Sequence, residues 1–233
     1  MLWINYLEPA WNPLLSYPKA MYVVAKFDTP NIVFTIVNEK ANVEVSGGGD
    51  FAILVDPKDE KAYISYDAWG NSHRVKVEQL TDDYLDSLGK NASSETISPS
   101  GNEAPMIFER KGYYYLLYGH TCCFCEEGAG AHVFVAKHPL GPWTSMDTDI
   151  NPEVKGERTI KAQNNFVIQL GEEYIYTGDL WASAHDQMKS HDLQYWYPLR
   201  FDDTKEPPSI LPMTWKDSVE INISNTNEIQ YIQ

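Results

Sequence analysis

The chain has 233 residues and carries 18 Lys and Arg against 33 Asp and Glu, a net charge of −15. That balance excludes nucleic acid as a natural partner, because phosphate binding needs clustered cations and none are clustered here. No apolar run approaches the roughly 18 residues of a membrane-spanning helix, and a chain of this length buries ~70–75% of its unfolded surface as one domain, with or without an appendage.

Residues 2–7 read as a strand already under way, with no charged leader and no cleavage signal before it. No secretory signal lies within the chain, which reads as beginning inside a domain. A proline-rich stretch around Pro9, Pro13 and Pro18 precedes two strand patterns within residues 21–37. Residues 51–80 hold three strands, followed by a loop at 81–86 and a Ser/Asn/Gly-rich stretch at 89–102 that reads as a linker on the surface or at a pocket rim. A third group of strands runs from 104 to 144 and a fourth lies around FVIQLG, EYIYTG and LQYWYPLRF. One further strand pair is expected at Ile210–Trp215 and Val219–Ile223, before a polar tail at 224–233. Helical periodicity is nearly absent, so the chain is all-β.

Three of these segments repeat one pattern: residues 51–68, 104–120 and 164–181 each give an apolar strand, a tight polar turn, and a Tyr-rich strand ending in polar or acidic residues. Tyr63, Tyr114 and Tyr174 mark them, 51 and 60 residues apart. A second repeat pairs residues 23–37 with 133–146, which share Val-Ala-Lys and a proline-centred turn. Hairpin repeats of ~40–50 residues are the mark of β-propeller blades, which gather the ends of their inner strands around one central pocket. The flanking acidic residues thereby become candidates for a single site.

The three cysteines fall in Cys122-Cys123-Phe124-Cys125. An odd count argues against a simple disulfide framework, and this spacing is not a usual zinc pattern, so a structural, redox-inert role is expected. The pairs Asp82-Asp83, Glu126-Glu127 and Asp202-Asp203 read as solvated loops; calcium has no EF-hand-like ligand pattern to occupy. Neither metal nor cofactor is expected. The sequons Asn91-Ala92-Ser93 and Asn222-Ile223-Ser224 are compatible with secretion of a full-length form. Nucleophile elbows, Walker loops and His-Glu-x-x-His are absent from the sequence, and Gly47-Gly48-Gly49 reads as a turn, since no helix follows it.

Glu103-Ala104-Pro105, followed by Phe108 and by Gly112-Tyr113-Tyr114-Tyr115-Leu116, resembles the five-bladed propeller glycosidases of glycoside hydrolase family 43. The hairpin from Asp50 to Asp56 with Lys61-Ala62-Tyr63, the loop Leu80-Thr81-Asp82-Asp83-Tyr84-Leu85 and the turn Pro139-Leu140-Gly141-Pro142-Trp143 are similar to family motifs in the family's order. Gln163-Asn164-Asn165-Phe166-Val167 and Gly178-Asp179-Leu180-Trp181 are similar to the exo-β-1,3-galactanase branch, although Leu180 stands where that branch has Arg. The resemblance covers about residues 20–223 and implies a five-bladed β-propeller at 1–223 with an incomplete first blade. It further implies inverting hydrolysis of an O-glycosidic bond in a polysaccharide by a monomer.

Carried over by position, Glu103 is the general acid, Asp50 the carboxylate that tunes it, and Gln163 a partner for the attacking water. Trp181, Asp179 and His120 are substrate contacts, whereas His185 and His191 are expected in a solvated loop. Read alone, Glu103 is an exposed loop residue, Asp50 a turn cap, Gln163 a strand-edge amide and Trp181 a core residue. The family base, an Asp early in the first blade, has no match before Asp28, so the chain reads as N-terminally truncated and is expected to be poorly soluble or inactive alone. The alternatives are a non-catalytic carbohydrate-binding propeller, and an arabinanase or xylosidase of the same family.

Overall fold

A computed structural model of the chain describes residues 2–7, 20–28, 33–122 and 124–221. The strands in chain order are β1 (Leu2–Leu7), β2 (Ala20–Asp28), β3 (Val33–Asn38), β4 (Gly48–Val55), β5 (Ala62–Ala68), β6 (Arg74–Gln79), β7 (Asn102–Arg110), β8 (Tyr113–His120) and β9 (His132–Ala136). They continue with β10 (Thr144–Asp149), β11 (Glu153–Val154), β12 (Glu157–Arg158), β13 (Gln163–Leu170), β14 (Glu173–Leu180), β15 (Leu193–Pro198), β16 (Phe201–Asp202) and β17 (Ser209–Ile210). The helical elements among the described residues are three short 3₁₀ turns, at Trp69–Asn71, Gly89–Ala92 and Lys189–His191. No helix among the described residues is long and apolar enough to cross a membrane. The all-β expectation holds. The proline-rich stretch and the tail at 224–233 lie outside the described residues.

The chain divides into two compact units, Met1–Thr121 with Phe134–Thr144, and Cys122–Val133 with Ser145–Gln233. The first holds the antiparallel sheets β1-β2-β3 and β4-β5-β6 and the hairpin β7-β8. β5 is buried along its whole length and β8 is buried up to His120. Both are therefore covered on two faces, and their sequences read as continuous aromatic and aliphatic runs instead of alternating ones. β3 is the contrary case: as an edge strand it leaves Val33, Phe34, Ile36 and Val37 exposed.

One core of the first unit gathers Trp3, Tyr22, Val24, Ile64, Tyr66 and Leu80, with the Tyr22 ring packed edge-on against Phe51 at 5.1 Å and Tyr66 at 6.1 Å. Another gathers Tyr63, Val75, Val77, Ile107, Leu116 and Tyr118. The buried Glu78 is held by the Tyr66 hydroxyl, by Ser87 Oγ at 2.6 Å and by the Glu44 amide at 3.0 Å, so its carboxylate has donors in place of water.

The Ser/Asn/Gly-rich stretch is not a free linker. Residues 93–101 lie along β6: the amides of Val77 and Val75 donate to Ser94 Oγ (3.0 Å) and Ser98 Oγ (2.9 Å), and the Ser94 and Ile97 amides donate back to the Val77 and Val75 carbonyls. The serines are the reason. Their hydroxyls supply ladder acceptors that a strand backbone would otherwise provide, and the edge of β6 is thereby closed.

The second unit holds β13-β14-β15 and the two-residue ladders β11-β12 and β16-β17. Its interior is organised by Asn151, which is fully buried. Its Nδ2 donates to the carbonyls of Ala129 and Ile160, both at 2.8 Å, and its Oδ1 accepts the Ile160 amide at 2.9 Å. Asp149 beside it takes the Arg158 guanidinium at 2.6 Å and the Ala131 amide at 2.8 Å.

The strand pair expected near the C-terminus is displaced. Ile210 ends a ladder with Phe201–Asp202, and residues 211–221 form no strand. Pro212 lacks the N–H that a continuing ladder would need. The segment packs by its side chains instead, with Trp215 stacked on Tyr195 at 4.6 Å. Within the motif of cysteines, Cys122 and Cys125 form a disulfide, a structural role reached despite the odd count; Cys123 lies outside the described residues.

Candidate active site

The three repeats share one backbone device. In each first strand the register slips by an extra residue near its start: between Gly48 and Phe51 in β4, between Glu103 and Met106 in β7, and between Asn164 and Phe166 in β13. A bulge of this kind bends the strand and re-aims side chains. Asp50 sits inside the first bulge, Glu103 opens the second, and Gln163 immediately precedes the third. Pro105 is tolerated within β7 because a bulge leaves its missing N–H unneeded. Ala104 takes up the turn with φ +53°, a left-handed conformation that costs an L residue about 1–2 kcal/mol.

In the first unit Glu103 is buried, contrary to an exposed-loop reading, whereas Asp50 is exposed. Two residues that the sequence reading passed over complete the group. Asp67, on β5 opposite the first bulge, is fully buried, and its Oδ2 pairs with His73 Nδ1 at 2.9 Å. Asp67, His73 and Glu103 each place a polar atom within 4.8 Å of the others. Burial pushes the Asp67 carboxyl up to about 7; His73 opposes this, and the charges of Asp50 and Glu103 add to it. These are also ligand types that a divalent cation accepts. A signal for Asp67 existed, since it ends the Tyr-rich strand of its repeat as a polar residue; His73 follows a 3₁₀ turn and had none.

The glycines before Asp50 are required by what lies behind them. A Cβ on Gly48 would meet the Tyr22 ring at 2.3 Å, and one on Gly49 would meet Trp69 Nε1 at 2.1 Å and Asp67 Oδ2 at 2.7 Å. The Tyr22 hydroxyl donates to the Gly49 carbonyl at 2.9 Å. Gly47 supplies the turn, with φ +78°, and Gly48 and Gly49 already belong to β4. His120, half-buried, ends β8 opposite Asn102, the residue before Glu103.

The other candidates lie in the second unit. Gln163 is buried, and its Oε1 accepts from Trp181 Nε1 at 2.7 Å, so the amide and the indole form a direct pair. Asp179, opposite Gln163 in the ladder, accepts from Asn165 Nδ2 at 3.0 and 3.1 Å and from Gln194 Nε2 at 3.1 Å. Trp181 is half-buried and lines a cleft of about 430 Å³ with Phe124, Gln187, Lys189 and Asp192. The Phe124 ring, carried on the disulfide loop, meets Trp181 edge-on at 5.0 Å, and Lys189 Nζ lies 4.6 Å from the indole centre. His185 and His191 are exposed, as expected, the latter paired with Asp186 at 2.8 Å.

No curated protein matches the chain in sequence. Among solved structures, it is similar to an exo-β-1,3-galactanase from Phanerochaete chrysosporium bound to galactose, with 27% identity and a TM-score of 0.68. That match covers 90% of this chain and 44% of the galactanase. A variant of the same galactanase, with one glutamate replaced by alanine and β-1,3-galactotriose bound, gives 26% identity, a TM-score of 0.67 and coverage of 90% and 44%. A family 43 β-1,3-galactosidase with galactodeoxynojirimycin shares the fold, at 21% identity, a TM-score of 0.72 and coverage of 94% of this chain and 72% of that one. The chain thus spans less than half the length of the galactanase it matches. Residues 18–218 match the family described as glycosyl hydrolases family 43. With so much of the sequence inside that match, the chain belongs to glycosyl hydrolase family 43.

Proposed function

We propose that the chain acts as a glycoside hydrolase on β-1,3-linked galactan, releasing terminal galactose with inversion. The sheets are read as blades of a five-bladed β-propeller. Glu103 is the general acid, protonating the departing glycosidic oxygen; Asp50 tunes it; Gln163 orients the attacking water on the opposite ring face. Trp181 offers an indole face to sugar C–H groups, with Asp179 and His120 as hydroxyl contacts.

The observation that carries this reading is the setting of Glu103. It is a carboxyl buried out of water with the Asp67 carboxyl and the His73 imidazole within 4.8 Å, a setting of the kind in which general acids are placed. The galactanase structures with galactose and galactotriose supply the substrate class. A carbohydrate-binding protein without catalysis is favoured by one feature, the neutral Gln163 amide already engaged by Trp181.

The test is galactose release from β-1,3-galactotriose by the 233-residue chain and by Glu103→Gln, with the anomer of the first product read by proton NMR. With Glu103 buried in place, the expectation that the chain is inactive alone is set aside: the expected result is release as the inverted anomer and a loss of ~100-fold or more in the variant. Equal rates in both proteins would remove Glu103 from the mechanism. Binding of the trisaccharide without cleavage would establish the binding-protein reading.

A further inference from the structure

The Asp67–His73 pair has no part in the three-residue scheme above, yet the fold invests heavily in placing it. Asp67 is fully buried, and its Oδ1 has no hydrogen-bond partner. An ionised carboxylate left in this state loses solvation on one oxygen and regains it only on the other, so the group holds a proton or leans on its neighbours. Among the described residues, Oδ2 pairs with His73 Nδ1, at 2.9 Å.

His73 is delivered to that point by an unusual backbone. Ser72 and His73 are both left-handed, at φ +58° and +54°. Two successive L residues in that region are strained, and persist where surrounding structure fixes them. Here the fixing comes from the Glu103 strand itself: the Asn102 amide donates to the His73 carbonyl at 2.9 Å, and the Gly101 amide to the Ser72 carbonyl at 3.0 Å. The turn that aims the imidazole and the strand that presents Glu103 are therefore stapled together one residue from the acid. The Gly49 backbone closes over Asp67 from β4, and the Trp69 ring lies 5.8 Å from the imidazole.

Resting on the glycosidase reading, we propose that Asp67 and His73 are positioning residues for Glu103: the buried Asp67 carboxyl, held by His73 beside Glu103, opposes loss of the acid's proton and so keeps Glu103 in its proton-donating form. The charged and titratable groups facing Asp67 are His73 at its carboxylate, Asp50 from β4, Glu103 from β7, and Tyr22 from β2, whose own ionisation is driven well up by burial. The Asp67 and Glu103 carboxyls, each with an oxygen within 4.8 Å of the other and of His73, cannot both ionise without mutual repulsion. As pH rises and Asp67 ionises, its charge opposes loss of the proton on Glu103.

The sign of the stability effect follows from the raised carboxyl. The folded Asp67 titrates at about 7 and an ordinary Asp near 3.8, so between these values the folded chain binds more protons than the unfolded one. This group thus withdraws stability as pH rises across that window, and its contribution is fully favourable only below it. Asp67→Asn, which can still accept from the imidazole, is expected to flatten the fall in Tm across pH 4–7 by about 3 °C per pH unit at most. His73→Gln removes the group that opposes the shift, and is expected to carry the fall in Tm to higher pH.

The same variants are read in the pH profile of galactotriose hydrolysis by the 233-residue chain. Loss of the Asp67 charge is expected to move the alkaline limb of kcat down by about one pH unit, with KM within about twofold. A merely structural Asp67 would lower Tm at every pH alike and leave the limb in place, and that outcome overturns the proposal. If no protein in the series cleaves the sugar, the glycosidase reading fails separately, and the Tm series alone decides the pair: a wild-type slope in Asp67→Asn overturns it. If Asp67→Asn does not fold, His73→Gln decides by the same two readouts, and a wild-type Tm profile and limb in that variant overturn it.

Discussion

The β4-β5 and β13-β14 hairpins are built to one plan and do opposite things with charge. Both slip register near the start of the first strand, and both end the second strand in a polar run. In the first unit the slip places Asp67 wholly out of water beside His73 and in range of two further carboxyls. In the second, the matching positions carry Gln163, whose carbonyl takes the Trp181 N–H, and Asp179, whose carboxylate takes amides from Asn165 and Gln194. The same backbone irregularity thus accompanies a buried carboxyl beside an imidazole in one repeat and a hydrogen-bonded network of amides, an indole and a partly solvated carboxylate in the other. The bulge provides the position; the side chains decide whether the position is chemically tense.

The contrast breaks most readily at Glu103. Glu103→Gln is expected to lower kcat by ~100-fold or more, about 2.7 kcal/mol of barrier, whereas Gln163→Ala removes a neutral hydrogen bond and is expected to lower it by only about tenfold. Equal losses in steady-state kinetics would mean that the two repeats carry equal chemistry, and the comparison would fall.

The packing behind the bulges comes next. Gly49→Ala drives a methyl into Trp69 and Asp67, with nothing flexible to yield but an indole already in place, and should cost about 2–3 kcal/mol in urea unfolding. Gly178→Ala meets Tyr176 Oη at 2.8 Å and Ala162 Cβ at 2.9 Å, a looser fit, and should cost less. The reverse order would show that the second unit is the more tightly closed.

Tyr176→Phe sharpens the point about satisfaction. The Tyr176 hydroxyl donates to Asn164 Oδ1 at 2.9 Å, and both residues are buried, so its loss orphans an acceptor and should cost about 1–2 kcal/mol in the same measurement. Asp179→Asn is the smallest change. The carboxylate is partly solvated and its partners are amides, so a stability change within about 1 kcal/mol is expected, with KM within about threefold. A larger rise in KM would make Asp179 a substrate contact of greater weight than its solvation implies.

The repeat of 51 to 60 residues, the all-β class and the strand positions were legible because each rests on local pattern: alternation, turn residues and Tyr-rich runs that no distant contact overrides. Glu103 and Gln163 are candidates through motif order, and what the structure adds is that both are buried. Asp67 was half-legible, as the polar end of a repeat whose other polar ends were noticed, but nothing local distinguishes a buried Asp from an exposed one. The serine-rich stretch was misread for the related reason that serine marks both free loops and segments whose hydroxyls replace a strand's acceptors.

The sequence by itself determined where this chain forms hairpins and which carboxyl and amide open them, because period, turn chemistry and motif spacing are short-range properties. Only the tertiary structure decided which carboxyl loses its water, that His73 reaches it through two left-handed residues, and that Cys122 pairs with Cys125. Desolvation and pairing are properties of the space between strands, and that space exists only once the hairpins have packed.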